Sequence, residues 1–302
     1  MRILVTGGSG FVGKHVVRTL LARGDEVVVA DLRPFPEEGA PITQVIGDLR
    51  DRANVVAAFA SGIDAVVHLA AITSVLQSVN DPEGVFSTNV AMTQLLLEGC
   101  RTNGVPRFVL ASTNAVVGDI GFGTINEESP LRPLTPYGAT KAAGEMLLSA
   151  YSSSYSMVTI ALRFTNIFGT GMQLKDSVIA RMMKAALAGS GIEIYGDGEQ
   201  LRDYIFIDDV VSSILLGLGL DASDVLTIGA ARSVSMNELH ALTCAATGVS
   251  IGATHVPGKP GEMPAVIVST AHAHDRGFRP RFSLEEGLFA TWEDFRVTNA
   301  RS

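Results

Sequence analysis

The chain has 302 residues, of which 47% are hydrophobic and 18% charged, and its formal net charge is −8 at neutral pH. That is enough apolar material for a sizeable core, arranged as one large domain or two small ones. The acidic balance and the lack of basic runs exclude nucleic acid and anionic membrane as partners, while a local basic pocket for phosphate stays compatible with them.

Apolar runs such as VVHLAAI are far shorter than the roughly 18 residues of a membrane span, and the opening MRILVTGG already reads as strand and turn. No signal or anchor is therefore expected. Cys100 and Cys244 have no metal-ligand spacing and read as thiols of a reducing compartment, which places the protein in the cytoplasm.

In chain order, short β-branched runs alternate with segments of helical period. RILVT precedes a helix over 11–23, EVVVAD one over 52–60, DAVVHLA one over 83–103 and RFVLAS one over 136–154, and VTIALRF closes the series. This alternation predicts an α/β fold, a Rossmann-type doubly wound parallel sheet with helices on both faces. After Asn166 the rhythm loosens into Gly- and Pro-bearing connections, with helices near 177–188, 208–219, 235–246 and 284–295. That part predicts a smaller C-terminal α/β cap at the carboxyl edge of the sheet, where open α/β sheets bind ligands. The expected division is a nucleotide-binding domain over 1–166, rejoined by about 204–228, and a substrate-binding cap from 167–203 and 229–302.

VTGGSGFVG follows the first strand and opens the first helix. Gly7, Gly10 and Gly13 recur at three-residue intervals, and Gly8 completes a G-x-G-x-x-G. Glycines let the backbone turn tightly and approach a pyrophosphate, whose charge sits against free N–H groups at the positive end of the helix. A glycine-rich turn without a ligand is the competing reading, and the context weighs against it. Asp31 ends the second strand, where a carboxylate accepts both ribose hydroxyls of NAD and repels a 2′-phosphate. Arg33 keeps NADP open. Asp48 and Leu49 of GDLRD are suited to hold the adenine.

The series TGGSGFVG, GDLRD, HLAA, ASTNAVVG, YGATK, RFTNIFG and GDGEQLRDYIFIDDV, in that order from residue 3 to about 268, resembles the extended short-chain dehydrogenase/reductase family, specifically its NAD-dependent nucleotide-sugar epimerases and dehydratases. The resemblance implies NAD held by Gly7, Gly10, Phe11, Val12, Gly13, Asp31, Arg33, Asp48 and Leu49, together with Leu69, Ala70 and Ala71 of HLAA. It also implies Asn89 near the cofactor, against which a structural hydrogen bond inside a helix is the competing reading.

With Thr135 as N-cap and Pro136 at the first helical position, Tyr137 and Lys141 fall one turn apart on one helix face. A phenol is a poor base at neutral pH, but an adjacent ammonium and a positive nicotinamide both favour the phenolate. Tyr137 then takes a proton from a sugar hydroxyl while NAD takes the hydride from the same carbon. The bland alternative is a surface i,i+4 pair. The family's hydroxyl partner matches Thr113, with Ser112 beside it as an alternative that reads better as a backbone cap. Val117 stands where the family usually has a tyrosine.

On the substrate side, the resemblance puts Asn166 and Arg202 on a sugar-nucleotide diphosphate, with Arg163 structural and Lys259 replacing a phosphate-binding arginine. Asp203, Asp208 and Asp209 read as caps of the next helix. Val266 matches a position that is a bulky tyrosine in epimerases restricted to plain hexoses, so an N-acetyl group is expected to fit. His68 reads as a packed strand-end residue, and His272 and His274 as surface residues.

The related 4,6-dehydratases carry an Asp-Glu pair directly after the threonine, an acid and a base for elimination. This chain has Asn114 and Ala115. The leading reading is therefore 4-epimerisation of a UDP-hexose or UDP-N-acetylhexosamine through transient oxidation at C4. An NDP-sugar dehydratase is the alternative, and a non-catalytic NAD-sensing protein is a third reading that Tyr137 and Lys141 disfavour. Small residues Ala91, Ala142, Ala143 and Gly144 in two helices that the family pairs between subunits imply a homodimer, with packing inside one chain as the alternative.

Overall fold

A computed structural model describes residues 1–258 and 263–300. In chain order the elements are β1 (Arg2–Thr6), α1 (Phe11–Ala22), β2 (Glu26–Asp31), β3 (Ile42–Ile46), α2 (Arg52–Phe59), β4 (Ala65–His68), α3 (Val75–Asn80), α4 (Pro82–Phe86), a π-helical turn (Ser87–Ala91), α5 (Met92–Asn103), β5 (Arg107–Thr113), β6 (Thr124–Ile125), α6 (Pro136–Tyr155), β7 (Val158–Phe164) and β8 (Asn166–Phe168). They continue with α7 (Val178–Ala188), β9 (Ile192–Tyr195), β10 (Leu201–Phe206), α8 (Ile207–Gly219), β11 (Asp224–Ile228), β12 (Ser233–Ser235), α9 (Met236–Thr247), β13 (Ala253–Val256), β14 (Ile267–Val268), α10 (Ala271–Asp275) and α11 (Leu284–Asn299).

Seven strands form the main sheet in the order β11-β7-β5-β4-β1-β2-β3, a Rossmann-like arrangement with flanking helices. The strands are nearly continuous apolar runs because helices cover both faces. On one face Leu4, Val28, Val66, Phe108 and Leu110 pack with Val55, Phe59, Leu96, Leu97 and Leu148 from α2, α5 and α6. On α1, Val16, Val17 and Leu20 are fully buried. Each such side chain contributes about 1.5–3 kcal/mol by leaving water. The strand order reverses between β1 and β4, the kind of point at which open α/β sheets bind ligands beyond the carboxyl ends of their strands.

The chain divides into two compact units. The first holds 1–118, 127–164 and 211–227, and the second 119–126, 165–210 and 228–302. The second unit contains β10 between β8 and β12, the pair β9–β13 and the pair β6–β14. The segment 119–126, expected within the nucleotide domain, groups with the second unit because β6 pairs with β14.

The helix expected over 83–103 is broken into α4, the π-helical turn and α5, and α3 precedes it unforeseen. The turn holds Asn89, whose side chain is fully used: Nδ2 donates to the Ile72 carbonyl at 2.9 Å and to Thr140 Oγ1 at 3.1 Å, and Oδ1 accepts from the Ile72 N–H at 2.9 Å. Ala142 and Gly144, expected to face a partner, are buried; a Cβ on Gly144 would lie 3.2 Å from Leu110. Among the described residues no helix is long and apolar enough to cross a membrane.

Candidate active site

Gly7 follows β1 with φ +70°, and a Cβ there would sit 2.7 Å from the Ala70 nitrogen. A Cβ on Gly13 would lie 2.1 Å from the Gly7 carbonyl oxygen. Only bare backbone fits this crossing, so the loop can pack tightly at the sheet's reversal point, with Leu69, Ala70 and Ala71 following β4. Gly10 caps α1 without a side-chain hydrogen bond, and no acidic residue occupies the first turn. The leading N–H groups of Phe11 and Val12 thus belong to a helix start suited to an anion.

Asp31 ends β2 with its carboxylate held by Ser9 N–H at 3.0 Å and Arg33 N–H at 3.1 Å, one bond to each oxygen. The second lone pair of each oxygen is left for a pair of ribose hydroxyls. These features fit NAD: a cradle closed to any side chain, a helix N-terminus and a fixed carboxylate. Arg33 is exposed and its carbonyl accepts from Ser9 Oγ. Asp48 is engaged by a fork from Arg50, whose hydrogen bonds hold its carboxyl below the usual range, and Leu49 is buried in the core. Asp48 keeps 37% side-chain exposure, enough to meet a second partner. Asn89 makes the bonds to Ile72 and Thr140 described above.

At the start of α6, Thr135 Oγ1 accepts from the Gly138 N–H at 3.2 Å and Pro136 occupies the first turn, as the spacing predicts. Lys141 is buried, and its Nζ donates to the Ala111 carbonyl of β5 at 2.8 Å. Burial lowers its pKa to about 8, opposed by the charge of Glu145. The Tyr137 hydroxyl is hydrogen-bonded to the Thr113 side chain, and Thr113 Oγ1 also accepts from the Ala115 N–H at 3.2 Å. Thr113, Tyr137 and Lys141 therefore come together in the first unit.

Burial pushes Tyr137 up to about 12, and the Thr113 hydrogen bond only partly opposes it. A bound nicotinamide ring would add a positive charge that brings the phenol down. Asn114 and Ala115 form a short 3₁₀ turn after Thr113. Val117 is buried.

In the second unit Asn166 Nδ2 donates to the Asp203 carbonyl at 2.9 Å, and Arg202 Nη1 to the Leu201 carbonyl at 2.8 Å. Asp203 is not a helix cap. It is fully buried in β10 and accepts from Thr165 Oγ1 at 2.7 Å, Ala230 N–H at 2.9 Å and Arg232 N–H at 3.1 Å. Nor is Asp209, which accepts from the Arg281 and Phe282 N–H groups. Val266 is 2% exposed. Lys259 lies outside the described residues. His272 and His274 are half-buried on α10 rather than on the open surface.

Sequence reasoning missed a cavity of about 550 Å3 between α7 and β9, lined by Val178, Ala185, Ala188, Ile192, Ile194 and Tyr195 with Lys184 and Gln200. At the start of α7, the Ser177 hydroxyl is buried without a hydrogen-bond partner among the described residues, and it makes no cap bond. The amphipathic period of α7 and the alternation in IEIY were the available signals. Among the described residues, no group of three or more His, Cys, Asp and Glu is placed to hold a metal.

Residues 3–229 match the model of the NAD dependent epimerase/dehydratase family. The chain is 33% identical to a dTDP-glucose 4,6-dehydratase of Streptomyces niveus, over 99% of this chain and 94% of that protein. It is 32% identical to a UDP-glucose 4-epimerase of Mycolicibacterium smegmatis, over 98% and 99%. Its fold is similar to the crystal structure of the Thermus thermophilus UDP-glucose 4-epimerase complex with NAD, with a TM-score of 0.92, 34% identity and coverage of 98% and 99%.

Proposed function

The chain belongs to the NAD-dependent epimerase/dehydratase family, and from that premise we propose that it is a 4-epimerase of a UDP-hexose or UDP-N-acetylhexosamine. The observation that carries this reading is the trio Thr113, Tyr137 and Lys141, followed by Asn114 and Ala115 rather than an acid and a base. NAD, when bound, supplies the acceptor for the hydride at C4. Tyr137 accepts the proton of the C4 hydroxyl, and the Thr113 hydroxyl bonds to the same oxygen pair and orients it. Lys141, held at the Ala111 carbonyl, brings the positive charge that makes the phenolate accessible. Epimerisation returns the hydride to C4 and the proton to its oxygen, the same two positions they left, so it asks for no further acid or base.

The second unit supports a sugar nucleotide. The apolar cavity with Tyr195 at its wall suits a nucleobase, and the unsatisfied Ser177 hydroxyl at the N-terminus of α7 suits a phosphate oxygen. Asn166, Arg202 and Lys259 are read as contacts of the diphosphate. The similarity to a dTDP-glucose 4,6-dehydratase favours elimination as the second reading. We further read the protein as cytoplasmic, on its two free thiols, and as a homodimer through the exposed Leu76, Val79, Phe86 and Met146 of α3, α4 and α6.

The test is incubation with UDP-glucose, UDP-N-acetylglucosamine and dTDP-glucose, with products identified by NMR and mass. A C4 epimer is expected; loss of one water would replace this reading by the dehydratase. Tyr137→Phe is expected to lower turnover by about 10²-fold or more, and full activity in that variant removes Tyr137 from the chemistry.

A further inference from the structure

We propose that Glu145 is a positioning residue: gripped by Arg163 and Ser112, it locks α6 at one height against β5 and β7, and so holds Tyr137 at Thr113 and Lys141 at the Ala111 carbonyl. The proposal rests on Tyr137 being the proton acceptor described above. Tyr137, Lys141 and Glu145 are spaced four residues apart and form one stripe of α6. Lys141 and Glu145 are 5% and 4% exposed, deep inside the first unit.

The Glu145 carboxylate is bound entirely by the two strands beneath it. Ser112 Oγ donates to Oε1. Arg163 Nε donates to Oε1 at 3.1 Å and to Oε2 at 3.2 Å, and Nη2 donates to Oε2 at 2.7 Å. Arg163 Nη1 also reaches the Glu127 carbonyl at 3.3 Å, while the Glu127 carboxylate accepts from the Thr227 N–H at 2.6 Å. Three successive residues of β5 thus meet the three positions of the stripe: Ala111 takes Lys141, Ser112 takes Glu145 and Thr113 takes Tyr137.

One residue of helix rise is about 1.5 Å, and misplacing a reacting group by about 1 Å can cost about 10²-fold in rate. Lys141 and Tyr137 each reach β5 through a hydrogen bond, and a single bond tolerates tilt. The forked Arg163–Glu145 pair does not, because two parallel bonds fix direction as well as distance. A buried ion pair is often no more stabilising than an apolar pair of equal volume, so geometry is the role left for this one. The charges around the stripe are consistent with it. His68 of β4 is held neutral, Arg163 offsets Glu145, and Glu145 supports the proton on Lys141 against burial.

The test uses the NAD-loaded protein and two variants, Ser112→Ala and the volume-conserving double Glu145→Leu/Arg163→Met. Tyrosine is labelled with 13C at Cζ, and Tyr137→Phe assigns its signal from about pH 6 to about pH 10. Both variants are expected to stay folded while the Tyr137 signal moves, and kcat is expected to fall at least about tenfold with KM within about threefold. A Tyr137 signal that superposes on the native one at every pH in the folded variants overturns the proposal, whatever the turnover. If the double variant does not fold, Ser112→Ala decides by the same criterion. The NMR readout needs no substrate, so failure of every sugar nucleotide to react overturns the preceding functional reading and leaves this measurement intact.

Discussion

Acidification forces a proton onto His68, and the structure says what that costs. Thr93 Oγ1 donates to the Asn89 carbonyl at 2.6 Å, which uses its one proton, so it accepts from His68 Nε2–H at 2.9 Å. His68 Nδ1 is then the bare nitrogen, accepting from Thr6 Oγ1 at 2.7 Å, and Thr6 in turn accepts from the Ala70 N–H at 3.3 Å. A second proton has nowhere to go, and the ring is 1% exposed near the Lys141 charge. Burial, with Lys141 adding to it, lowers the pKa from 6.5 to about 3. A depressed folded-state pKa means that the stabilisation is present above pH 6.5 and is lost as pH falls towards 3. At roughly 1.36 kcal/mol per unit the full loss is about 5 kcal/mol, and about 2 kcal/mol is already gone at pH 5. Urea unfolding at pH 7 and pH 5 measures it on native protein and on His68→Gln, whose amide has no such titration. The native protein is expected to lose about 2 kcal/mol more than the variant over this interval. Equal losses, or a His68 NMR titration with its midpoint above pH 5, would refute the buried neutral tautomer.

Gly13→Ala is expected to abolish NAD binding by calorimetry and to lower the melting temperature, because its methyl would lie 2.1 Å from the Gly7 oxygen and overpacking costs about 1–3 kcal/mol or more. Asp31→Ala should weaken NAD by about tenfold to a hundredfold while leaving NADP much less affected; equal losses for the two would show that the carboxylate does not meet the ribose. Ser156 ends α6 at φ +54°, and Ser156→Gly is expected to raise unfolding free energy by up to about 1 kcal/mol in urea unfolding.

What could be read from the chain beforehand was whatever depends on near neighbours. The α6 start was legible because cap, proline, Tyr137 and Lys141 lie within one short stretch and a helix fixes their geometry. The glycine turn and Asp31 were legible for the same reason, each lying at the end of a recognisable strand. Asp203 and Asp209 were misread because their partners, the backbone of Ala230 and Arg232 and of Arg281 and Phe282, are distant in sequence and have no side-chain signature. Helical period did not show where the π-helical turn would fall.

The bonds around His68 also continue past it. The Asn89 side chain, on the residue whose carbonyl receives Thr93, donates to Thr140, and Thr140 donates to the Tyr137 carbonyl at 2.8 Å. Thr6, Thr93 and Thr140 therefore each accept one hydrogen bond and donate one, linking the groups on either side. Replacing any of them by valine keeps the volume but orphans groups on both sides. A deep mutational survey would score these three threonines as nearly as intolerant as Tyr137, although all three are buried and their bonds run only to the protein itself. Essentiality in such a survey would then trace the scaffold behind the chemistry as much as the chemistry.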